Sequence, residues 1–128
     1  MALGQDLVGI DRFRLLYTMD DTDALSRVFR STEQLEAKSF SDPILCLASC
    51  FAAKEAVLKT IGGLEQGIEL TDVEIDGLRS VSPTVRLYGS VMTAATLLGI
   101  ADYLLAISRS RTFVTAIVIA LGVPQRPY

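Results

Sequence analysis

The hydrophobic and polar pattern is clearest between Pro43 and Ile61. At about 100° per residue, Ile44, Leu47, Ala48, Phe51 and Leu58 share one apolar arc, which predicts a long helix. Ser41-Asp42-Pro43 supplies a cap and a first-turn proline, and Gly62-Gly63 supplies the stop. Glu55 falls in the middle of the arc, with Lys59 one turn further along the same side. A carboxylate on a core-facing stripe is costly unless a cation, a metal or hydrogen bonds compensate it. That position makes Glu55 a candidate site residue. The plainer alternative is a solvated Glu55–Lys59 pair at i,i+4, contributing about 0.2–0.5 kcal/mol.

The same reading runs along the rest of the chain. Leu3 to Ile10 predicts a short strand with Asp11 at its end, and Asp20-Asp21-Thr22-Asp23 opens a short helix over Ala24 to Phe29. Ser31-Thr32-Glu33-Gln34 has capping-box spacing and starts a helix reaching Ser39. Strands are predicted over Glu69 to Ile75, closed by Asp76-Gly77, and over Thr84 to Tyr88. A helix follows from Ser90 to Leu98, stopped by Gly99. Tyr103 to Ile107 and Phe113 to Leu121 form a hairpin across Ser108-Arg109-Ser110-Arg111-Thr112. The fold class is α+β: a mainly antiparallel sheet packed on one long helix, plus smaller helices. One domain is expected over 1–123, with a loose tail over 124–128.

Composition narrows the function classes. Half of the 128 residues are hydrophobic and 21% are charged, enough for a single core without staples. A mean hydropathy of +0.39 is high for a small domain, and subunit contacts would absorb the excess. No apolar run reaches the roughly 18 residues that span a bilayer, and no signal peptide is visible, so no membrane partner is expected. The net charge of −3 and the absence of a basic block argue against nucleic acid. Cys46 and Cys50, one helical turn apart, match neither a good disulfide nor a zinc site, which points to a reducing cytoplasm. The chain has no histidine, which excludes histidine-based triads and metal sites.

Two carboxylates stand out by position, Asp11 and Glu55. If the strand end faces the helix, they suit a hard divalent cation that completes its shell with water and phosphate oxygens. Lys59 would then reach a phosphate on the same ion, and Gly62-Gly63 would let backbone approach the ligand. Asp11 also has a plain reading as a strand-ending turn residue.

Gly9-Ile10-Asp11, the block Phe51-Ala52-Ala53-Lys54-Glu55-Ala56-Val57-Leu58-Lys59 and Gly62-Gly63 resemble the signature of the 4′-phosphopantetheinyl transferases, in their short holo-acyl-carrier-protein synthase type. The likeness extends to Asp72-Val73-Glu74-Ile75 and to the closing hairpin. The resemblance implies Mg²⁺-dependent transfer of the phosphopantetheine arm of coenzyme A to a serine of an acyl or peptidyl carrier protein. It implies Asp11 and Glu55 as metal ligands, Glu55 and Lys59 as catalytic groups, and Lys59, Gly62, Gly63, Ser108 and Arg109 as coenzyme A contacts. It also implies a homotrimer with sites between subunits. Mn²⁺ would accept the same ligands.

Three positions depart from the family pattern. With Asp11 as the metal ligand, the arginine usual six residues later is Tyr17. Cys50 stands where an arginine precedes the F-A-A-K-E block, and Arg109 stands where the hairpin has a histidine. Arg12, Arg14, Arg27 and Arg30 are the basic candidates for meeting an acidic carrier. A second function reading follows: a catalytically altered homologue serving as a carrier-binding or repurposed pathway subunit.

Overall fold

The computed structural model describes residues 2–63 and 67–122. Strand β1 (Ala2–Gly9) alternates strictly: Gly4 and Val8 are buried, while Leu3 and Leu7 face outward. It pairs antiparallel with β5 (Phe113–Gly122), which pairs with β4 (Ile100–Arg109), giving the order β1-β5-β4. The inner face of β5 presents Val114, Ala116, Val118 and Ala120, all buried against the long helix α4 (Pro43–Thr60). A second, two-stranded sheet joins β2 (Val73–Asp76) to β3 (Thr84–Leu87). The smaller helices are α1 (Ile10–Leu16), α2 (Thr22–Ser26), α3 (Ser31–Lys38) and α5 (Gly89–Leu97). The tail over 124–128 lies outside the described residues.

The α4 boundaries follow local chemistry. Asp42 accepts the Leu45 N–H at 3.2 Å and Pro43 occupies the first turn. At the other end Gly62 and Gly63 take φ of 98° and 86°, and the Gly63 N–H closes on the Leu58 carbonyl at 2.7 Å. Further upstream, α3 starts one residue earlier than its motif suggests. Arg30 is the cap, and Glu33 reaches back to accept its N–H at 2.8 Å.

Three expectations are corrected. Asp11 does not end a strand: β1 stops at Gly9, and Asp11 sits exposed in the first turn of α1, a helix the pattern did not show. Only Val73–Asp76 of the segment beginning at Glu69 is strand, because Leu70–Asp72 forms a 3₁₀ turn. Glu55 is not on a core-facing stripe. Helix α4 is enclosed on nearly every side, with Ala52, Ala53, Lys54, Ala56, Val57 and Leu58 buried, whereas Ile44, Phe51 and Glu55 are half-buried. A helix with small residues all round has no single apolar arc, so periodicity placed Glu55 one step too deep. The charge in the core is Lys54.

Candidate active site

Alternation in β1 puts Gly4, Asp6 and Val8 on the face turned toward α4. Gly4 permits a very close approach: a Cβ there would lie 1.9 Å from the Ala56 carbonyl oxygen. Strand and helix therefore meet almost backbone to backbone just beside Glu55. A cleft of about 280 Å³ opens at this junction, lined by Asp6, Arg12, Tyr17, Phe51 and Glu55 among others. Tyr17 is held in its wall by stacking on Phe13 with ring centroids 4.7 Å apart.

Lys59 Nζ donates to Asp6 Oδ1 at 2.9 Å and to the Gln5 carbonyl at 2.8 Å. Burial pushes the Glu55 carboxyl above its ordinary range, and the neighbouring Asp6 charge adds to the rise while Lys59 opposes it. A carboxylate whose charged form is disfavoured by burial and by a second carboxylate gains from a cation bound beside it. Among the described residues no three His, Cys, Asp or Glu side chains cluster, so a cation here would take two protein carboxylates and the rest from its ligand.

The structure divides the residues singled out from sequence. Glu55 and Lys59 come together, but their partner is Asp6 rather than Asp11. Asp11 does not line the cleft, and its charge acts instead on Arg14, which is bonded to Asp42. Asp6 was passed over because Leu3 to Ile10 was read as an apolar run. Its signal was the alternation itself, a carboxylate on the same strand face as Gly4 and Val8. Gly63 has open space where a Cβ would project.

Ser108 and Arg109 lie at the far end of β4 and line no part of the Asp6–Glu55 cleft. Arg109 Nε donates to Ser49 Oγ at 2.7 Å. It borders two other depressions, one with Ser80 and Pro83 and one with Phe40 and Cys46. Cys46 and Cys50 are buried free thiols. Burial is the main cause of their raised pKa values, pushing Cys46 up to about 12 and Cys50 well above the ordinary thiol range. Neither is poised as a nucleophile.

Comparison with known proteins defines the class. Residues 2–112 match the model of the 4′-phosphopantetheinyl transferase superfamily, and the chain belongs to that family. Within it, the chain is of the short holo-acyl-carrier-protein synthase type. It is 34% identical over 120 residues to the holo-[acyl-carrier-protein] synthase of Syntrophus aciditrophicus, covering 93% of this chain and 94% of that relative. The crystal structure of holo-[acyl-carrier-protein] synthase from Neisseria meningitidis matches with a TM-score of 0.78 at 27% identity, covering 94% of this chain and 97% of that one. The ACPS–CoA complex from Chronobacterium ammoniagenes matches with a TM-score of 0.75 at 25% identity, covering 95% and 97%. Among the described residues no helix is long and apolar enough to cross a membrane.

Proposed function

We propose that the chain transfers 4′-phosphopantetheine from coenzyme A to a serine of an acyl or peptidyl carrier protein, with Mg²⁺ held by Asp6 and Glu55. The observation that carries this reading is that Asp6 and Glu55 line one cleft while Lys59 donates to Asp6 at 2.9 Å. Two hard oxygen donors beside a lysine fit a Mg²⁺ ion that keeps water and takes phosphate oxygens from its substrate. Placing the metal on Asp6 also changes one departure. The arginine usual six residues after the metal ligand is then Arg12, present and lining the same cleft, rather than Tyr17.

The serine hydroxyl attacks the phosphorus that carries the pantetheine arm. The bond to the bridging oxygen breaks, and 3′,5′-ADP leaves with the electron pair. Bound there, Mg²⁺ supplies Lewis-acid stabilisation of charge on the transferred phosphoryl group. Glu55, disposed toward holding a proton, orients the incoming hydroxyl and accepts its proton directly or through water. Lys59 shifts from Asp6 to the pyrophosphate and stabilises the leaving group. Arg109, with Ser108 beside it, holds the nucleotide end of coenzyme A.

Within one chain Arg109 lines no part of the Asp6–Glu55 cleft, so this assignment is made across a second copy. The outer face of the three-stranded sheet supports such an assembly, since Leu3, Leu7, Leu104, Phe113 and Ile117 are 39–67% exposed there. A contiguous apolar face of this kind marks a protein contact. The homotrimer is accordingly part of the proposal, as are a cytoplasmic location and an acidic carrier partner. Among the described residues Arg14 is engaged by Asp42 and Arg30 lies against Glu74 and Tyr88, whereas Arg12 and Arg27 make no ion pair. The latter two are the cations offered to a carrier.

The carrier-binding reading without catalysis draws on Cys50, which is buried in the core where the family has an arginine. One experiment separates the two. An apo carrier protein incubated with coenzyme A, Mg²⁺ and this chain gains one phosphopantetheine mass, and the gain disappears with EDTA and with Glu55→Ala. Absence of any gain across several carriers, with the fold intact, would refute the transferase reading.

A further inference from the structure

Among the described residues, the most completely enclosed polar cluster lies outside the cleft. Lys54 and Glu33 are both fully buried and meet at 2.7 Å. The ammonium also donates to the Val73 carbonyl at 2.6 Å and to the Leu70 carbonyl at 3.1 Å, so its three protons are all used. Besides the lysine, Glu33 accepts from three groups: the Arg30 N–H at 2.8 Å, the Ile75 N–H at 2.8 Å and the Cys50 thiol at 3.2 Å. Every donor and acceptor is matched, which is the condition under which a buried pair is tolerated.

The cluster joins α3, α4 and the approach to β2 at one point on α4. Position 54 is next to Glu55, and it is about 200° round the helix from position 56 at 100° per residue. Ala56 is the residue pressed against Gly4 of β1. Helix α4 is thus gripped from opposite sides at consecutive alternate positions, by Lys54 on the β2 side and by Ala56 on the β1 side. Glu55 leaves the helix between the two grips, at the edge of the cleft that Asp6 enters from β1. A rotation of α4 of even a few tens of degrees would carry the Glu55 carboxylate away from Asp6. Apolar packing around Ala52 and Ala53 has little side-chain relief to resist such a rotation, whereas directional bonds at Lys54 resist it on the side away from Gly4.

We propose that the buried Glu33–Lys54 pair is a positioning device for the metal site, setting the rotation of α4 and with it the direction of Glu55 toward Asp6. This rests on the reading of Asp6 and Glu55 as metal ligands. Neither Lys54 nor Glu33 touches the cleft, so their effect passes through Glu55. Removing the pair as a unit should loosen metal binding without touching the nucleotide contacts.

The test is a titration of Mn²⁺ in the presence of coenzyme A, read by the electron paramagnetic resonance of free Mn²⁺, on folded protein well below its melting temperature. In Lys54→Met/Glu33→Gln, which removes both charges together, the apparent metal dissociation constant rises about tenfold. In turnover at saturating metal the same variant loses kcat while KM for coenzyme A stays at the parent value. Glu33→Gln alone leaves Lys54 on its two carbonyls, keeps the fold, and raises the constant by a smaller factor. A folded variant of either kind that binds Mn²⁺ as tightly as the parent overturns the proposal. Glu55→Gln, run alongside, tests the underlying assignment separately. If that variant binds Mn²⁺ unchanged, the metal reading itself fails, whatever Lys54 does.

Discussion

Replacing Gly4 with alanine adds one methyl group, and the structure says where it would go. The new Cβ would stand 1.9 Å from the Ala56 carbonyl oxygen, 2.9 Å from its carbon and 3.1 Å from Thr60 Cγ2. Ordinary contact begins at 3.4 Å, so relief of the first clash requires about 1.5 Å of separation (3.4 less 1.9) between β1 and α4. The nearest atoms belong to helix backbone, which cannot rotate aside as a side chain would. Overpacking of this kind costs about 1–3 kcal/mol. For a chain of this size that lowers the melting temperature by about 3–5 °C per kcal/mol. The functional effect is larger, because Asp6 and Glu55 sit on the two elements being pushed apart. A misplacement of about 1 Å at reacting groups costs on the order of 100-fold in rate. The assay is carrier-protein modification by mass spectrometry together with a thermal melt. Gly9→Ala is the control for stability, since its Cβ would meet Phe113 Cε1 at 3.8 Å and Arg12 Cβ at 3.9 Å, both ordinary contacts. Parent-like melting and turnover in Gly4→Ala would refute the argument that close approach of β1 and α4 builds the site.

Other outcomes follow from the same geometry. Asp6→Ala lowers transfer by about 100-fold or more, whereas Asp11→Ala leaves it near the parent rate; the reverse pattern in a side-by-side assay would restore Asp11 as the ligand. Glu55→Gln abolishes transfer yet stabilises the metal-free protein. The raised native pKa of Glu55 favours its protonated form, so stability relative to the glutamine variant is matched at pH below the ordinary glutamate value of 4.5 and is lost as pH rises through the native value. Melts in EDTA between pH 4 and pH 8 (roughly the carboxylate window) should show the gap opening upward, and a gap that narrows would contradict the burial of Glu55. Ile117→Glu, on the outer sheet face, converts the proposed trimer to monomer in light scattering; an unchanged mass would place the subunit contact elsewhere. Asp42→Ala removes the α4 cap and costs about 1 kcal/mol, measured by chemical denaturation.

Much of this molecule was legible from pattern, and the failures share a cause. Helix α4, its caps and the closing hairpin are written in strong local signals: an acidic cap before proline, two glycines, and β-branched runs on either side of a polar turn. Helix α1 was missed because Ile10 to Leu16 is short and shares its apolar residues with the strand before it. Glu55 was recognised as special for a reason the structure revises, since it is half-buried at an edge while Lys54 occupies the core. Asp11 stands out at a predicted strand end, whereas Asp6 is concealed inside the strand. The tertiary fact that decides between them, Gly4 touching α4, is not encoded at any fixed spacing from Glu55. The pairing of Glu33 with Lys54 was equally out of reach, because it joins residues on separate helices through the 3₁₀ turn and β2.

The hydrogen bond from Lys59 to Asp6 helps to balance the formal charges around the cleft. Asp6 and Glu55 contribute two negative charges, and Lys59 and Arg12 contribute two positive ones. A divalent ion arriving alone must displace Lys59 from Asp6 and leaves the cleft doubly cationic. A doubly anionic pyrophosphate arriving alone meets two carboxylates. Together they restore neutrality, and the displaced lysine acquires a new acceptor. With the proposed metal on Asp6 and Glu55, electrostatics of this form would make the two ligands interdependent: each would strengthen the other, and either component by itself would be held weakly.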